Sequence, residues 1–230
     1  MNRRLYGFAI RCIGPLCHLR IKPIYKYYTM KNYFRLKKSY SNDIILCNEY
    51  FAELIDEMRS REDTGRNHYW ETINKGIIAL SKKLEFYNDI CSTKYFFDHI
   101  NLFVCRPHRI GGLHIDSAAN PRFCSLNIPL LDNDTSRMIW VDPTQYSVDK
   151  VDVKHGGVRA GLPSEGDIDI DTWNIIDQVD FNIPMLIKVN EWHSVDNRTN
   201  PNPRIAVACR FLMNPTFDQM SEELYKKGLI

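Results

Sequence analysis

The chain has 230 residues, of which 44% are apolar, and a formal net charge of +2. A chain of this length can bury one sizeable core, and its composition is not that of a disordered protein, so one main domain is expected. No segment approaches the roughly 20 consecutive apolar residues that cross a bilayer, which excludes a membrane-spanning protein and predicts a soluble one.

The near-neutral charge hides an asymmetry between the N-terminal segment and the rest. Residues 1–40 contain ten Lys and Arg and no acidic residue, which leaves 20 basic and 28 acidic side chains, a charge of −8, in the remaining 190. Three interpretations stay open: an organellar transit peptide, a nucleic-acid-binding arm of alternating basic and aromatic residues, or a segment preceding a true start at Met30. We expect residues 1–40 to be a flexible basic extension or targeting segment and residues 41–230 to be a single domain.

The seven cysteines are widely spaced and contain no CxxC pair. Scattered thiols in a chain of this length are more typical of small buried residues than of a disulfide framework or a zinc knuckle. They predict a reducing, intracellular location, which is the cytoplasm, or the mitochondrion if residues 1–29 are a transit peptide.

Two stretches ahead of residue 97 carry apolar residues at helical spacing. Residues 42–60 follow a capping candidate, Ser41, and residues 71–87 place an apolar stripe on one face despite an internal glycine. We therefore expect helical support over residues 41–96. At the other end of the chain, residues 216–228 predict a C-terminal amphipathic helix.

From residue 97 onward, short apolar or alternating runs are separated by turn clusters, a pattern typical of a β-sandwich or jelly roll. The predicted strands are Ile100–Cys105, Phe123–Pro129, Arg137–Val141, Pro184–Val189 and Arg204–Leu212. Residues 142–182 are polar and acidic and are expected to form an insertion or lid. Its acidic residues predict a solvated surface, or a surface that selects cationic substrates.

A histidine and an aspartate lie two residues apart in the sequence GGLHIDS, ahead of a predicted strand. Residues two apart on a strand point to the same face, so His114 and Asp116 can direct an imidazole and a carboxylate at one point. His193, directly after the apolar run 185–189, is the candidate third ligand, at a strand end. A mixed nitrogen and oxygen set with open positions suits non-haem Fe(II).

An arginine follows His193 by eleven residues, at the start of the last predicted strand. The guanidinium of Arg204 can bind a carboxylate through two parallel hydrogen bonds, which a lysine ammonium does less well. Arg210 lies on the same face six residues later. It could bind substrate or a cosubstrate, but a peripheral salt bridge is the favoured interpretation.

In this order and spacing, His114-x-Asp116, His193 and Arg204 resemble the HxD...H...R signature of the Fe(II)/2-oxoglutarate-dependent oxygenases. The resemblance implies a mainly β fold, a double-stranded β-helix (cupin-like jelly roll) over residues 98–213, flanked by the predicted helices. It also implies that the two histidines and the aspartate hold Fe(II) and that Arg204 binds 2-oxoglutarate. The implied activity is an O2-dependent hydroxylation that releases succinate and CO2, acting on a small-molecule or peptide substrate.

The chain departs from the pattern on the last strand, where many members carry Arg-x-Ser and this chain has Ala206. Ser125 or Asn127, from the strand after HxD, would have to supply the missing cosubstrate contact. Two other hypotheses remain. One is a cupin-like protein that binds metal without oxygenase activity, and the other is an oxygenase directed at nucleic acid through the basic N-terminal segment.

Overall fold

The computed structural model describes residues 31–60, 68–72, 83–91, 95, 97–116, 123–130, 135–142, 158–159 and 172–230. The interpretations of residues 1–30 therefore lie outside the described residues, as does most of the predicted insertion. None of the helices in the described ranges has the length and apolar character that a bilayer crossing requires.

Two antiparallel sheets make up the body of the described chain. The first sheet contains, in spatial order, β1 (Tyr33–Arg35), β9 (Met185–Lys188), β5 (Cys124–Leu130), β11 (Arg204–Phe211), β3 (Phe97–Cys105) and β2 (His68–Thr72). The second sheet contains β7 (Val158–Arg159), β4 (His114–Ile115), β10 (His193–Asp196), β6 (Arg137–Val141) and β8 (Ile175–Asp180). We call these the major and the minor sheet.

Strands that follow one another in the chain tend to lie in different sheets. The order β3, β4, β5, β6 alternates between the major and the minor sheet, and so does the order β8, β9, β10, β11. This winding is that of a double-stranded β-helix, so the predicted fold class is confirmed.

The two faces of the major sheet have different roles, as β11 illustrates. Ile205, Val207 and Cys209 point to the main hydrophobic core. Arg204 and Ala206, with the opposite parity, line a cavity between the sheets. Because side chains alternate along a strand, one strand can support the core and the cavity together.

The described helices are α1 (Ser41–Tyr50), α2 (Ala52–Ser60), α3 (Glu85–Cys91) and α4 (Phe217–Lys226). α1 and α3 are joined through Asp43, whose carboxylate accepts the backbone N–H groups of Glu85 and Phe86 at 2.9 and 2.7 Å. These N–H groups have no partner within the helix, so Asp43 caps α3. Side chains of α1, α3 and α4 belong to the same core as the major sheet.

All five predicted strands are present, and the C-terminal helix is confirmed as α4. The predicted helix over 42–60 is present but interrupted at Phe51, where α1 ends. The prediction of a helix over 71–87 is wrong at its start, because residues 68–72 form β2 and pair with β3. The described helix in this region begins only at Glu85.

The predicted extension 1–40 is also too long. Tyr33, Phe34 and Arg35 pair with β9 as an edge strand of the major sheet, and the Phe34 ring stacks on Phe217 at a centroid distance of 5.4 Å. The aromatic residues of this strand, which suggested a nucleic-acid-binding arm, are used here for packing.

The predicted insertion 142–182 contains two strands of the minor sheet, β7 and β8. In β8 only Val179 is buried, because β8 is an edge strand, and its polar residues face outward. Acidic composition therefore concealed a strand, and most of the rest of the insertion lies outside the described residues.

Candidate metal centre and its cavity

The two predicted histidines face each other across one strand pair. β4 runs antiparallel to β10 with His114 opposite His193, and their ring centroids are 4.4 Å apart. Just ahead of β4, the N–H of Gly111 donates to the Val195 carbonyl at 2.7 Å, and its carbonyl accepts from the Ser194 hydroxyl at 2.6 Å. This double attachment to β10 fixes the chain that carries His114.

Asp116 completes a cluster of three side chains that could hold a metal ion. Its backbone N–H donates to the Val189 carbonyl at 2.9 Å, which ties the end of β4 to the end of β9. One ligand atom from each of His114, Asp116 and His193 lies within 4.8 Å of the others. His193 is buried, and the other two are partly buried.

Backbone carbonyls select the tautomer of both imidazoles. His114 Nδ1 lies 2.7 Å from the Gly112 carbonyl, and His193 Nδ1 lies 2.8 Å from the Glu191 carbonyl. A carbonyl oxygen only accepts, so each Nδ1 carries a proton, and in a neutral imidazole Nε2 is the nitrogen that keeps the lone pair. Burial, reinforced by the neighbouring His114, lowers the pKa of His193 to about 4, so this imidazole is neutral at physiological pH.

The carboxylate of Asp116 is shared between a histidine and an arginine. Its Oδ1 lies 3.3 Å from His114 Nε2, and its Oδ2 lies 2.5 Å from Arg210 Nη2. Burial opposes ionisation of Asp116, but the adjacent Arg210 and the two histidines outweigh it and hold the pKa of this carboxyl well below its usual range. Asp116 is therefore a carboxylate.

The ligand atoms as they stand are arranged for a cation. His114 Nε2 lies 3.3 Å from Asp116 Oδ1, so a positive charge, carried by a proton on Nε2 or by a metal ion, satisfies both atoms. The combination of two imidazole nitrogens and one carboxylate is the donor set of non-haem Fe(II) centres with open positions.

Arg204 lines the same cavity and is 2% exposed. Its guanidinium carbon lies 4.1 Å from the centre of the Phe181 ring, and its Nη2 lies 3.4 Å from Met138 Sδ. Burial lowers the pKa of Arg204 to about 10, which leaves it charged at neutral pH. Among the described residues no carboxylate pairs with it, and its Nε has no hydrogen-bond partner. A buried cation without a counter-charge is costly, so the cavity is suited to an anion.

Ser125 and Asn127 also line the cavity, on β5. The Ser125 hydroxyl donates to Asn127 Oδ1 at 2.8 Å or to the Cys209 carbonyl at 3.2 Å. Its single proton is therefore used within the protein. Ala206 lies on the neighbouring strand, opposite Pro129, and contributes only a methyl group.

The structure brings all six predicted site residues to one cavity, but it corrects the interpretation of Arg210 as part of a peripheral salt bridge. His193 lies at a strand end, as predicted: it begins β10 in the minor sheet, and residues 189–192 separate it from β9. Arg210 does form a salt bridge, but the bridge is not peripheral, because the partner is Asp116. The face parity of Arg210 was readable from the sequence, whereas its partner depends on the pairing of β4 and β10.

Phe181 and Met138 were not predicted as site residues. Phe181 is fully buried just beyond β8, and Met138 lies on β6, so both reach Arg204 from the minor sheet. The sequence signal for each was an ordinary apolar residue at a strand position, which does not separate a core residue from one that contacts a buried cation.

No protein-family model matches the chain, and no curated protein matches it by sequence. Solved structures do resemble it. They include the epimerase SnoN in complex with Fe3+, alpha ketoglutarate and nogalamycin RO, with 12% identity over 80% of each chain and a TM-score of 0.46. A Pseudomonas putida prolyl-4-hydroxylase shares 11% identity over 78% of this chain and 91% of its own, with a TM-score of 0.43. EctD from S. alaskensis, with 2-oxoglutarate and 5-hydroxyectoine, shares 11% identity over 80% and 74%, with a TM-score of 0.43.

At these identities and TM-scores, functional inference has to rest on the residues of the site itself. His114, Asp116 and His193 fit the HxD...H pattern of the Fe(II)/2-oxoglutarate-dependent oxygenases in sequence order, and their side chains lie together in the structure.

Proposed function

We propose that the protein is an Fe(II)- and 2-oxoglutarate-dependent oxygenase that hydroxylates a small-molecule or peptide substrate. The observation that carries the proposal is one cavity that combines the His114, Asp116 and His193 cluster with the buried charge of Arg204, which no described carboxylate neutralises. Either feature alone also suits a protein of a different class. Together they provide a place for a divalent metal and a place for a dicarboxylate beside it.

Three ligands would hold the metal, and each is prepared for the role. Backbone carbonyls hold the Nδ1 protons of His114 and His193, so Nε2 is the nitrogen that each imidazole would present to the metal. Asp116 is ionised and supplies a negative charge. When bound, Fe(II) supplies the activation of O2 and the oxidative decarboxylation of 2-oxoglutarate to succinate and CO2, which drives hydroxylation of a C–H bond.

Arg204 would bind the carboxylate of 2-oxoglutarate that lies away from the metal. The Phe181 ring and the Met138 sulfur fix the guanidinium without neutralising it, so the charge is preserved for a ligand. Apolar side chains, those of Phe103, Ile187 and Val195, line the same cavity, and an ion pair is stronger in such surroundings than in water.

A second donor to the cosubstrate would come from β5. Because the Ser125 proton is already used within the protein, the amide nitrogen of Asn127 is the better candidate, and Ser125 orients it by donating to its Oδ1. This arrangement would replace the hydroxyl that is missing at Ala206.

The proposal is tested by following the fate of 2-oxoglutarate. The purified full chain is incubated with Fe(II), ascorbate, O2 and 2-oxoglutarate labelled at C1. Labelled CO2, which contains C1, and succinate, which carries no label, are measured separately, with Arg35→Met as a surface control. We expect slow, stoichiometric release of both products without added substrate, lost in Asp116→Ala and retained in Arg35→Met. Metal binding with no release above the Asp116→Ala background would contradict the proposal. It would favour the metal-binding protein without oxygenase activity, for which Ala206 is the supporting observation.

A further inference from the structure

Arg210 is a charged side chain of the cavity to which the proposed function assigns no role. It lies on β11 with the same parity as Arg204, and its backbone is paired with His99 of β3. Its Nη2 contacts Asp116 Oδ2 at 2.5 Å, and the two side chains are only 12% and 15% exposed. Arg210 lies within a strand and Asp116 directly follows one, so this contact is built into the sheets.

The two oxygens of Asp116 have different surroundings. Oδ1 is directed at the candidate metal ligands and lies 3.3 Å from His114 Nε2. Oδ2 is directed at Arg210. A free carboxylate can bind a metal ion through one oxygen or through both, and here one of the two already has a charge-assisted hydrogen bond.

We propose that Arg210 is a positioning residue that restricts Asp116 to a single metal-binding oxygen by holding Oδ2. The inference rests on the proposed function in that the ion concerned is the Fe(II) of that site. The restriction of Asp116 to one oxygen matters because an octahedral ion has only six coordination positions. Three protein ligands on an octahedral ion leave three positions, which is the number that a bidentate cosubstrate and O2 need. A second oxygen from Asp116 would occupy one of them.

Arg210 could instead stabilise the fold or the position of the Asp116 side chain as a whole. This role and the restriction of Oδ2 have opposite consequences for metal affinity. A guanidinium next to a divalent cation repels it, so removal of a purely restricting Arg210 should leave metal affinity unchanged or increased. If Arg210 instead held Asp116 in place, its removal should weaken metal binding.

The number of water molecules on bound Mn(II) reports the number of protein ligands without requiring turnover. Mn(II) is added to the full chain in the absence of 2-oxoglutarate, and its exchangeable waters are counted from electron paramagnetic resonance line broadening in 17O-water. We expect three waters in the unmodified protein and in the control Arg35→Met. We expect two waters in Arg210→Met, with an Mn(II) dissociation constant that is unchanged or lower.

Arg210→Lys keeps a cationic donor at the same strand position and should retain three waters. Arg210→Lys also tests the proposal if Arg210→Met does not fold. Two waters on Mn(II) in Arg210→Lys would show that a cationic contact to Oδ2 does not determine the number of bound waters. Three waters in Arg210→Met, two in the unmodified protein, or weakened Mn(II) binding in a folded Arg210→Met would each overturn the proposal. Absence of Mn(II) binding by the unmodified protein would instead reject the metal site itself, and with it the proposed function.

Discussion

The guanidinium of Arg204 is held by groups that contribute no negative charge, an aromatic face and a thioether sulfur. Replacement by lysine keeps the charge but loses the planar fork that matches a carboxylate. We expect Arg204→Lys to weaken 2-oxoglutarate binding about 10- to 100-fold, since one of two parallel hydrogen bonds between charged groups is lost, at a cost of about 1.5–3 kcal/mol. Fe(II) affinity should change less than about threefold, because Arg204 does not belong to the ligand cluster.

The two affinities are measured by anaerobic titration of each ligand, with Arg35→Lys as a surface control. Equal weakening of the binding of iron and of 2-oxoglutarate would contradict the assignment of Arg204 to the cosubstrate. An unchanged 2-oxoglutarate affinity would contradict it as well.

Asp196, on β10 beyond the candidate ligand His193, stabilises the minor sheet through charge. Its carboxylate pairs with Arg137 at 2.7 Å and with Arg198 at 3.1 Å and is 3% exposed. Burial opposes its ionisation, but the hydrogen bonds from Arg198 and the charge of Arg137 prevail and lower the pKa of Asp196. A lowered pKa means that the stabilisation is fully present above the unfolded-state pKa of about 3.9 and is lost as the pH falls through the folded-state value.

We therefore expect Asp196→Asn to reduce the free energy of unfolding by about 2 kcal/mol at pH 7, as for other hydrogen bonds to charged groups. The difference should shrink as the pH falls below about 4. Urea unfolding at a series of pH values measures both effects. The surface pair of Glu222 and Lys226 provides the control, because Glu222→Gln should cost less than about 0.5 kcal/mol. A pH-independent difference for Asp196→Asn would show that its charge is not responsible.

At the scale of elements, the sequence predicted those whose local pattern agrees with their environment. β5 and β11 carry apolar residues that fill the main core, and α4 has an amphipathic face and a complete capping box at Thr216. β2 and β8 were missed because pairing, not composition, makes them strands: β2 is paired with β3, and β8 is a largely exposed edge strand. Local propensity is a weak guide where tertiary contacts decide.

β1 was missed for the same reason, and its packing extends into the segment that follows it. Leu36 is 3% exposed and belongs to the main core, and its backbone N–H donates to the Pro184 carbonyl at 2.9 Å. We expect Leu36→Ala to destabilise the protein by about 2–5 kcal/mol, because deleting a buried leucine side chain leaves a cavity.

The control for Leu36→Ala is Leu212→Ala, at a leucine that is 62% exposed, and it should change stability by less than about 0.5 kcal/mol. Thermal and urea unfolding measure both variants. Equal and small changes in stability for the two variants would indicate that residues 33–40 form a flexible extension, as the sequence alone suggested.

For the whole molecule, the major sheet divides a core from a cavity. One face of β11 and β5 is apolar, and the other carries two arginines, a serine and an asparagine; the Nε atoms of both arginines find no partner in the described part of the chain. The candidate ligand cluster of His114, Asp116 and His193 could be anticipated because HxD spacing and strand parity are local properties. The Arg210 contact to Asp116 and the Phe181 contact to Arg204 could not, because they depend on how the two sheets face each other.

One cavity is proposed to bind Fe(II) and 2-oxoglutarate together, and an anaerobic spectroscopic titration tests this most directly. Full-length protein is loaded with Fe(II), titrated with 2-oxoglutarate, and monitored for the weak visible charge-transfer band of the chelated iron complex. We predict a band that saturates at one equivalent, requires both ligands, and is absent in Asp116→Ala. Iron binding without a band, or a band of full intensity in Asp116→Ala, would contradict the account.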